Sequence, residues 1–331
     1  MRVGVAGATG ALGTEIIKVL DRASWRPDEL VPLARAQTAI QNVEYGGKRL
    51  AVDDIQDEDL EGLDALVLAL PRESALTYGE LASQAGVSVV DCSGAFAADA
   101  DVPLVVPWVN PEALADVPRG MLAVPAAEVV LLGSLLGPLR RAGIEVGMCA
   151  SVLIPASAAG RDGITELSAQ VVALFNSSDP PRKVFDQGLA FDLLPAVGEG
   201  GDEGPTQLER ETMDQLARIV GPVAPWDVTV VGVPVFSGTS AILALDPVRQ
   251  TDPASVIAAL QSGGVVVPEH PGSRHLPRPR RVEGRPFAHV GRVRMGADGR
   301  RVHLWASMDN LKTVATAAGA ALATLLRIGR A

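Results

Sequence analysis

Three glycines spaced three apart, Gly7, Gly10 and Gly13, end a short apolar strand (Val3–Ala6) and open a helix that carries Ile16, Ile17 and Leu20. That strand–turn–helix setting gives a glycine pattern its chemistry. The backbone can turn sharply and approach a pyrophosphate, and the helix start offers unpaired N–H groups and a positive dipole end. Gly7, Thr9, Gly10, Ala11, Leu12 and Gly13 are therefore candidate cofactor-binding residues; the alternative is a tight turn that holds no ligand. The other reactive groups are few. Cys92 falls at a strand end facing the expected crevice, and Cys149 lies within a strand after Met148. Buried structural thiols are the commoner outcome at such positions. The four histidines, His270, His275, His289 and His303, come late in the chain, the first two in a proline-rich loop. No Cys/His spacing suggests zinc.

The elements that would position these groups alternate. Val3–Ala6, Glu29–Ala34, Ala65–Ala69 and Val87–Asp91 read as strands, with helical stretches such as Ser74–Ala85 between several of them. Such alternation implies a parallel, doubly wound sheet whose ligands lie at the carboxyl ends of the strands. Gly7, Ala34, Leu70-Pro71 and Asp91-Cys92-Ser93 should then converge on one crevice. The second strand ends Leu33-Ala34-Arg35-Ala36-Gln37-Thr38. It carries no acid for ribose hydroxyls, and Arg35 and Thr38 suit a 2′-phosphate, so NADP is favoured over NAD. The alternative makes Arg35 a surface arginine.

Past Ser151 the pattern changes. Ile144–Leu153, Val228–Phe236, Ser240–Leu245, Val290–Met295 and Arg301–Ser307 read as long strands of a more antiparallel sheet, and Gly163–Phe175 and Gln207–Val220 as helices. Glu199–Pro205 reads as a loop, the basic run Arg278–Arg285 as a solvated loop between prolines, and Asn310–Ile328 as a helix returning to the first domain. A chain of 331 residues suits two lobes. Its 47% hydrophobic and 21% charged content suits a packed core, and a net charge of −10 argues against general nucleic-acid binding. Two cysteines are too few for a disulfide framework and fit a reducing cytoplasm. The longest apolar stretch, Val129–Leu139, is too short to span a bilayer.

Several landmarks fall in order: the glycine turn, Asp91–Phe96, Val102–Asn110, Ala156–Gly160, Gln187–Pro195, Val231–Thr239 and Asp309–Lys312. This ordered set resembles the aspartate-β-semialdehyde dehydrogenase family over nearly the whole chain. The resemblance implies an NADP-binding Rossmann domain (residues 1–128 with 310–331) and an α+β dimerisation domain with a large mixed sheet (129–309). It also implies a homodimer formed through that sheet and adds Ser93 and Asn310 to the cofactor candidates.

The family reaction needs a cysteine thiolate, a proton-moving histidine, a glutamine that positions the thioester, and arginines for carboxylate and phosphate. At the matching positions this chain carries Ala127, Thr239, Ile154 and Gly232, with Ala97 for a phosphate-binding arginine and Trp108 for an acid. A family lysine falls on Glu211, or on Arg210 with a one-residue shift. Glu128, next to Ala127, would cap the helix that follows and repel an incoming anion. Loss of a covalent nucleophile alone costs about four to six powers of ten in rate. The resemblance therefore implies an NADP-binding protein, able to pair with another protein, that lacks the family reaction and has no catalytic residues. An active aspartate-semialdehyde dehydrogenase of amino-acid biosynthesis is the alternative that overall similarity suggests. A third reading is non-covalent hydride transfer with Thr239, Ser237 or Ser157 as weak proton donors.

Overall fold

The computed structural model describes residues 1–35, 42–201, 203–221, 225–268 and 275–327. They divide into two compact units, Met1–Ala126 with Val314–Ala331, and Ala127–Thr313. In the first, β1 (Arg2–Ala6) runs through Gly7 into α1 (Ala11–Arg22), whose Ile16, Ile17 and Leu20 are buried as their helical spacing requires. Next come β2 (Glu29–Ala34), a hairpin of β3 (Asn42–Tyr45) and β4 (Lys48–Ala51), and the two-residue β5 (Asp53–Asp54). Then follow β6 (Ala65–Leu68), α2 (Arg72–Gln84), β7 (Ser88–Asp91) and β8 (Met121–Ala123). Apart from the hairpin, these strands form one parallel sheet in the order β5-β2-β1-β6-β7-β8. Fully buried β6 reads as an unbroken apolar run for that reason.

The second unit opens with α3 (Ala127–Arg141), buried over most of its length. β9 (Val146–Ile154), α4 (Gly160–Phe175), α5 (Gln207–Val220), β10 (Trp226–Gly232) and β11 (Thr239–Pro247) follow. α6 (Pro253–Ser262), α7 (Pro279–Val282), β12 (His289–Met295) and β13 (Val302–Met308) complete its sheet and cover. α8 (Asn310–Leu325) begins in this unit and continues into the other. The sheet runs β10-β9-β11-β13-β12; only β10 and β9 are parallel. Helices α3, α5 and α6 pack against its strands. Ala150, Val152, Ala241, Leu243, Val228 and Val230 are buried, while alternate residues Asp227, Thr229, Cys149 and Ile242 are exposed. One face of the sheet is thus core and the other is open.

Three expectations change here. Cys149 is exposed rather than buried, because strand alternation places it on the open face. The strand expected over Val228–Phe236 stops at Gly232, where Pro234 removes a ladder donor and the chain turns. The carbonyls of Val235 and Phe236 accept instead from the amides of Ala156 and Ser157. The basic run contains the short helix α7, started by Pro279 at its first position, where a missing N–H costs nothing. Thr38 and His270 lie outside the described residues. Among the described residues no helix is long and apolar enough to cross a membrane.

Candidate functional site

In the first unit the glycine turn is built by close approach. The amides of Gly7 and Ala8 donate to the Leu33 carbonyl at 2.8 and 3.0 Å, which fixes the turn against the end of β2. Gly7 has φ +88°, and a Cβ on it would stand 2.3 Å from the Ala69 carbonyl oxygen. A Cβ on Gly13 would stand 2.1 Å from the Gly7 carbonyl oxygen. Neither position tolerates a side chain. Gly10 is the N-cap of α1 and supplies no side-chain cap, and the first turn holds no acid. Thr9 lies in the turn, and Ala11, Leu12 and Gly13 form the first helical turn, whose amides are those an anion would take. These residues suit a dinucleotide pyrophosphate.

The end of β2 is less simple than its sequence. Arg35 is exposed there. β5 brings Asp53 and Asp54 alongside Leu33 and Ala34, acids that a two-residue strand gave no signal for. Asp54 accepts from the Gln56 amide at 3.1 Å. At the end of β7, fully buried Asp91 accepts from the Ser93 hydroxyl (2.5 Å) and from the amides of Ser93 (2.8 Å) and Phe96 (3.1 Å). The Ser93 oxygen also accepts from the Ala95 amide at 3.0 Å, so this hydroxyl first of all shapes its own turn. Burial pushes the Asp91 carboxyl up against the pull of those bonds. Burial, with Asp91 beside it, also pushes the Cys92 thiol well above its usual range, which leaves little thiolate.

In the second unit the positions expected to carry the reaction hold Ala127, Ile154, Gly232 and Thr239. Ala127 starts α3, and Glu128 beside it is 7% exposed. Burial raises the Glu128 carboxyl, and the charge of Glu211 raises it further. Ile154 is buried at the end of β9. Gly232 exchanges both backbone hydrogen bonds with Leu194 at 2.9 Å, and a Cβ on it would lie 3.1 Å from the Leu194 Cβ. A side chain at 232 would require the Leu194 side chain to give by a few tenths of an ångström. Thr239 is 1% exposed.

Asn310 sits in a polar clamp within this unit. Its Oδ1 accepts from the Gly238 amide (2.8 Å) and the Ser237 hydroxyl (3.3 Å), and its Nδ2 donates to the Ser157 hydroxyl (3.0 Å). Asp309 accepts from the amides of Leu311 and Lys312 at the start of α8 and from the Gly284 amide at 2.7 Å. A second clamp was not foreseen. Glu166 accepts from the amides of Lys183, Val184 and Phe185 (2.8–2.9 Å), and Gln170 Oε1 accepts from those of Leu189 and Ala190. Burial would raise the Glu166 carboxyl, but these donors hold it below its ordinary value. Glu166 and Gln170 stand one helical turn apart on α4, a spacing visible in the sequence; the loop they hold was not. Among the described residues no group of three His, Cys, Asp or Glu could hold a metal ion.

Residues 2–117 match the family model for the semialdehyde dehydrogenase NAD binding domain, and residues 136–313 match that for the semialdehyde dehydrogenase dimerisation domain. The chain is 31% identical to a USG-1 protein homolog of Azotobacter vinelandii, over 98% of this chain and 97% of the relative. It is 30% identical to aspartate-semialdehyde dehydrogenase 2 of Vibrio cholerae, over 98% and 97%. The crystal structure of aspartate semialdehyde dehydrogenase II from Vibrio cholerae, complexed with ASA, superposes with a TM-score of 0.93 at 30% identity, covering 99% of this chain and 98% of that one.

Proposed function

The chain belongs to the semialdehyde dehydrogenase family, and from that premise we propose that it is an NADP-binding, homodimeric relative that does not carry out the family reaction. The observation that carries this reading is the α3 N-terminus. Alanine stands at 127 where a nucleophile would be needed, and the neighbouring Glu128 is a buried carboxyl rather than a base activating a thiol. Ile154, Gly232 and buried Thr239 supply no positioning amide, no guanidinium and no imidazole.

Cofactor binding rests on the first unit. Gly7, Thr9, Gly10, Ala11, Leu12 and Gly13 would hold the pyrophosphate and Arg35 the 2′-phosphate; Thr38, Ser93 and Asn310 are further contacts proposed on the family resemblance. A bound nicotinamide cofactor supplies hydride chemistry; the residues of this chain supply binding and orientation. Pairing of two copies rests on the open sheet face, which lies within the segment matching the dimerisation domain. The test is direct. Purified protein given aspartate semialdehyde, phosphate and NADP should show no turnover, while a fluorescence titration with NADPH should saturate. Turnover at a rate ordinary for enzymes, about 1 s⁻¹ or more, would overturn the non-catalytic half. Absence of saturable binding would overturn the cofactor half.

A further inference from the structure

At one corner of the second unit's sheet, strand register sets three polar residues side by side: Ser240 on β11, Ser307 on β13 and His289 on β12. Side chains directly opposite on neighbouring strands have Cβ atoms about 5 Å apart. Alternation puts these three on the same side as Ile242 and Trp305, yet all three are buried where Ile242 is 51% exposed. The segment entering α7 lies over this end of the sheet. The Pro277 carbonyl accepts from the Trp305 indole N–H at 2.7 Å, and α7 packs against β13. A Cβ on Gly291 would stand 2.8 Å from Leu276 and 2.9 Å from Pro277.

The polar atoms of this row are not used up. The Ser240 hydroxyl donates to the Ser307 oxygen at 2.9 Å, which leaves the Ser307 hydroxyl hydrogen without an acceptor among the described residues. The His289 imidazole, on a residue 7% exposed, has no hydrogen-bond partner among them either. Buried polar groups left this way are uncommon in folded chains and mark a place for water or an ion. Charge comes from the loop behind α7. Burial first and the Arg285 charge second hold the His289 imidazole below its ordinary value, so the guanidinium lies within electrostatic reach of the ring. Arg278, Arg280, Arg281 and Arg285 are exposed and form no ion pair among the described residues. Residues 278–285 thus hold four arginines and one glutamate in a chain whose net charge is −10. Asp309, which accepts from the Gly284 amide, is already engaged by the amides of Leu311 and Lys312 as well.

We propose that this corner, contained in the second unit, is an anion site that takes a phosphate group, free or carried by a small organic molecule. A tetrahedral oxyanion matches the donor set. The Arg285 guanidinium offers a two-pronged, charge-assisted contact, His289 a ring N–H and Ser307 a hydroxyl. The exposed arginines of α7 raise the local concentration of anions around it. A bound anion would also offset the Arg285 charge that His289 feels and give the unpartnered ring an acceptor.

Nuclear magnetic resonance of the histidine rings tests this on the full chain, which has four histidines, and His289→Gln identifies the signal concerned. At pH 7 and constant ionic strength, inorganic phosphate should shift the His289 signal along a saturating curve with a midpoint below about 10 mM. Phenyl phosphate is the second probe. A response to both supports a carried phosphate group, and a response to inorganic phosphate alone supports a free ion. Arg285→Gln should raise the midpoint at least about tenfold, the effect of losing one charge-assisted contact. Gly13→Ala, which disturbs the glycine turn of the first unit, should leave it within about twofold. Melting curves establish that each variant is folded. A His289 signal unmoved by phosphate up to about 50 mM would overturn the proposal. So would a response that Arg285→Gln leaves unchanged, or one that Gly13→Ala abolishes, since the phosphate would then be held elsewhere.

Discussion

Two helices of this molecule begin in opposite ways. α1, in the first unit, starts at Gly10 with no side-chain cap and no acid in its first turn. α3, in the second, starts at Ala127 and carries Glu128 in its first turn, buried and raised in pKa. Both helix ends present orphan amides and a positive dipole. One leaves that potential for an outside anion. The other fills the same region with a carboxyl of its own. On the proposed reading, the contrast teaches that a nucleotide cradle and a reaction centre are separable, because they are built at different helix starts from different residues.

The largest effect should come from filling the cradle. Gly13→Ala places a methyl group 2.1 Å from the Gly7 carbonyl oxygen, a distance that forces the turn to move. NADPH affinity should fall at least about 100-fold, since displaced amides no longer converge on the pyrophosphate. Titration of the variant, with a melting curve to establish folding, checks this. Unchanged affinity in a folded variant would mean that α1 is as closed to anions as α3.

The same contrast explains how much could be read from sequence. Gly7, Gly10 and Gly13 announce themselves because phosphate approach needs glycine at a fixed local spacing beside a strand. The long strands of the second sheet were legible because β-branched and apolar runs set their length, with ends off by a few residues. Asp91 beside Ser93 carries the local signature of an Asx turn. What escaped depends on distant partners. Asp54 reaches the end of β2 only through a two-residue pairing with Ala34. The Glu166–Gln170 clamp depends on a loop some twenty residues away, and the bridge at Gly232 depends on Leu194. Cys149 was misplaced because composition suggests burial, whereas strand phase decides it.

A smaller effect should separate the two phosphates of the cofactor. Arg35 stands at the end of β2, and Asp54 on the neighbouring strand is already engaged with the Gln56 amide. Arg35→Ala should weaken NADP about tenfold, the low end for a charge-assisted bond at an exposed position, and leave NAD nearly unchanged. Equal losses for both cofactors would remove Arg35 from the 2′-phosphate and leave the turn as the only anion site supported in the first unit.

The smallest expected effect compares two acids of the second unit. Glu128 has its pKa raised above the ordinary 4.5 by burial first and by Glu211 second. A folded state that holds the proton more tightly than the unfolded chain is favoured below that ordinary value and loses the contribution as pH rises through the folded value. Glu166 is opposite. Its donors hold it below 4.5, so its contribution is present above 4.5 and is lost as pH falls through the folded value. Urea unfolding at about pH 5 and pH 8 should therefore show Glu128→Gln gaining on the wild type as pH rises. Glu166→Gln should instead lose ground between about pH 3 and pH 6, because three backbone amides lose an ionised acceptor. A gap between Glu128→Gln and wild type that stays constant with pH would mean that Glu128 ionises freely. The α3 N-terminus would then be an open anionic site, and its contrast with α1 would be one of charge rather than of closure.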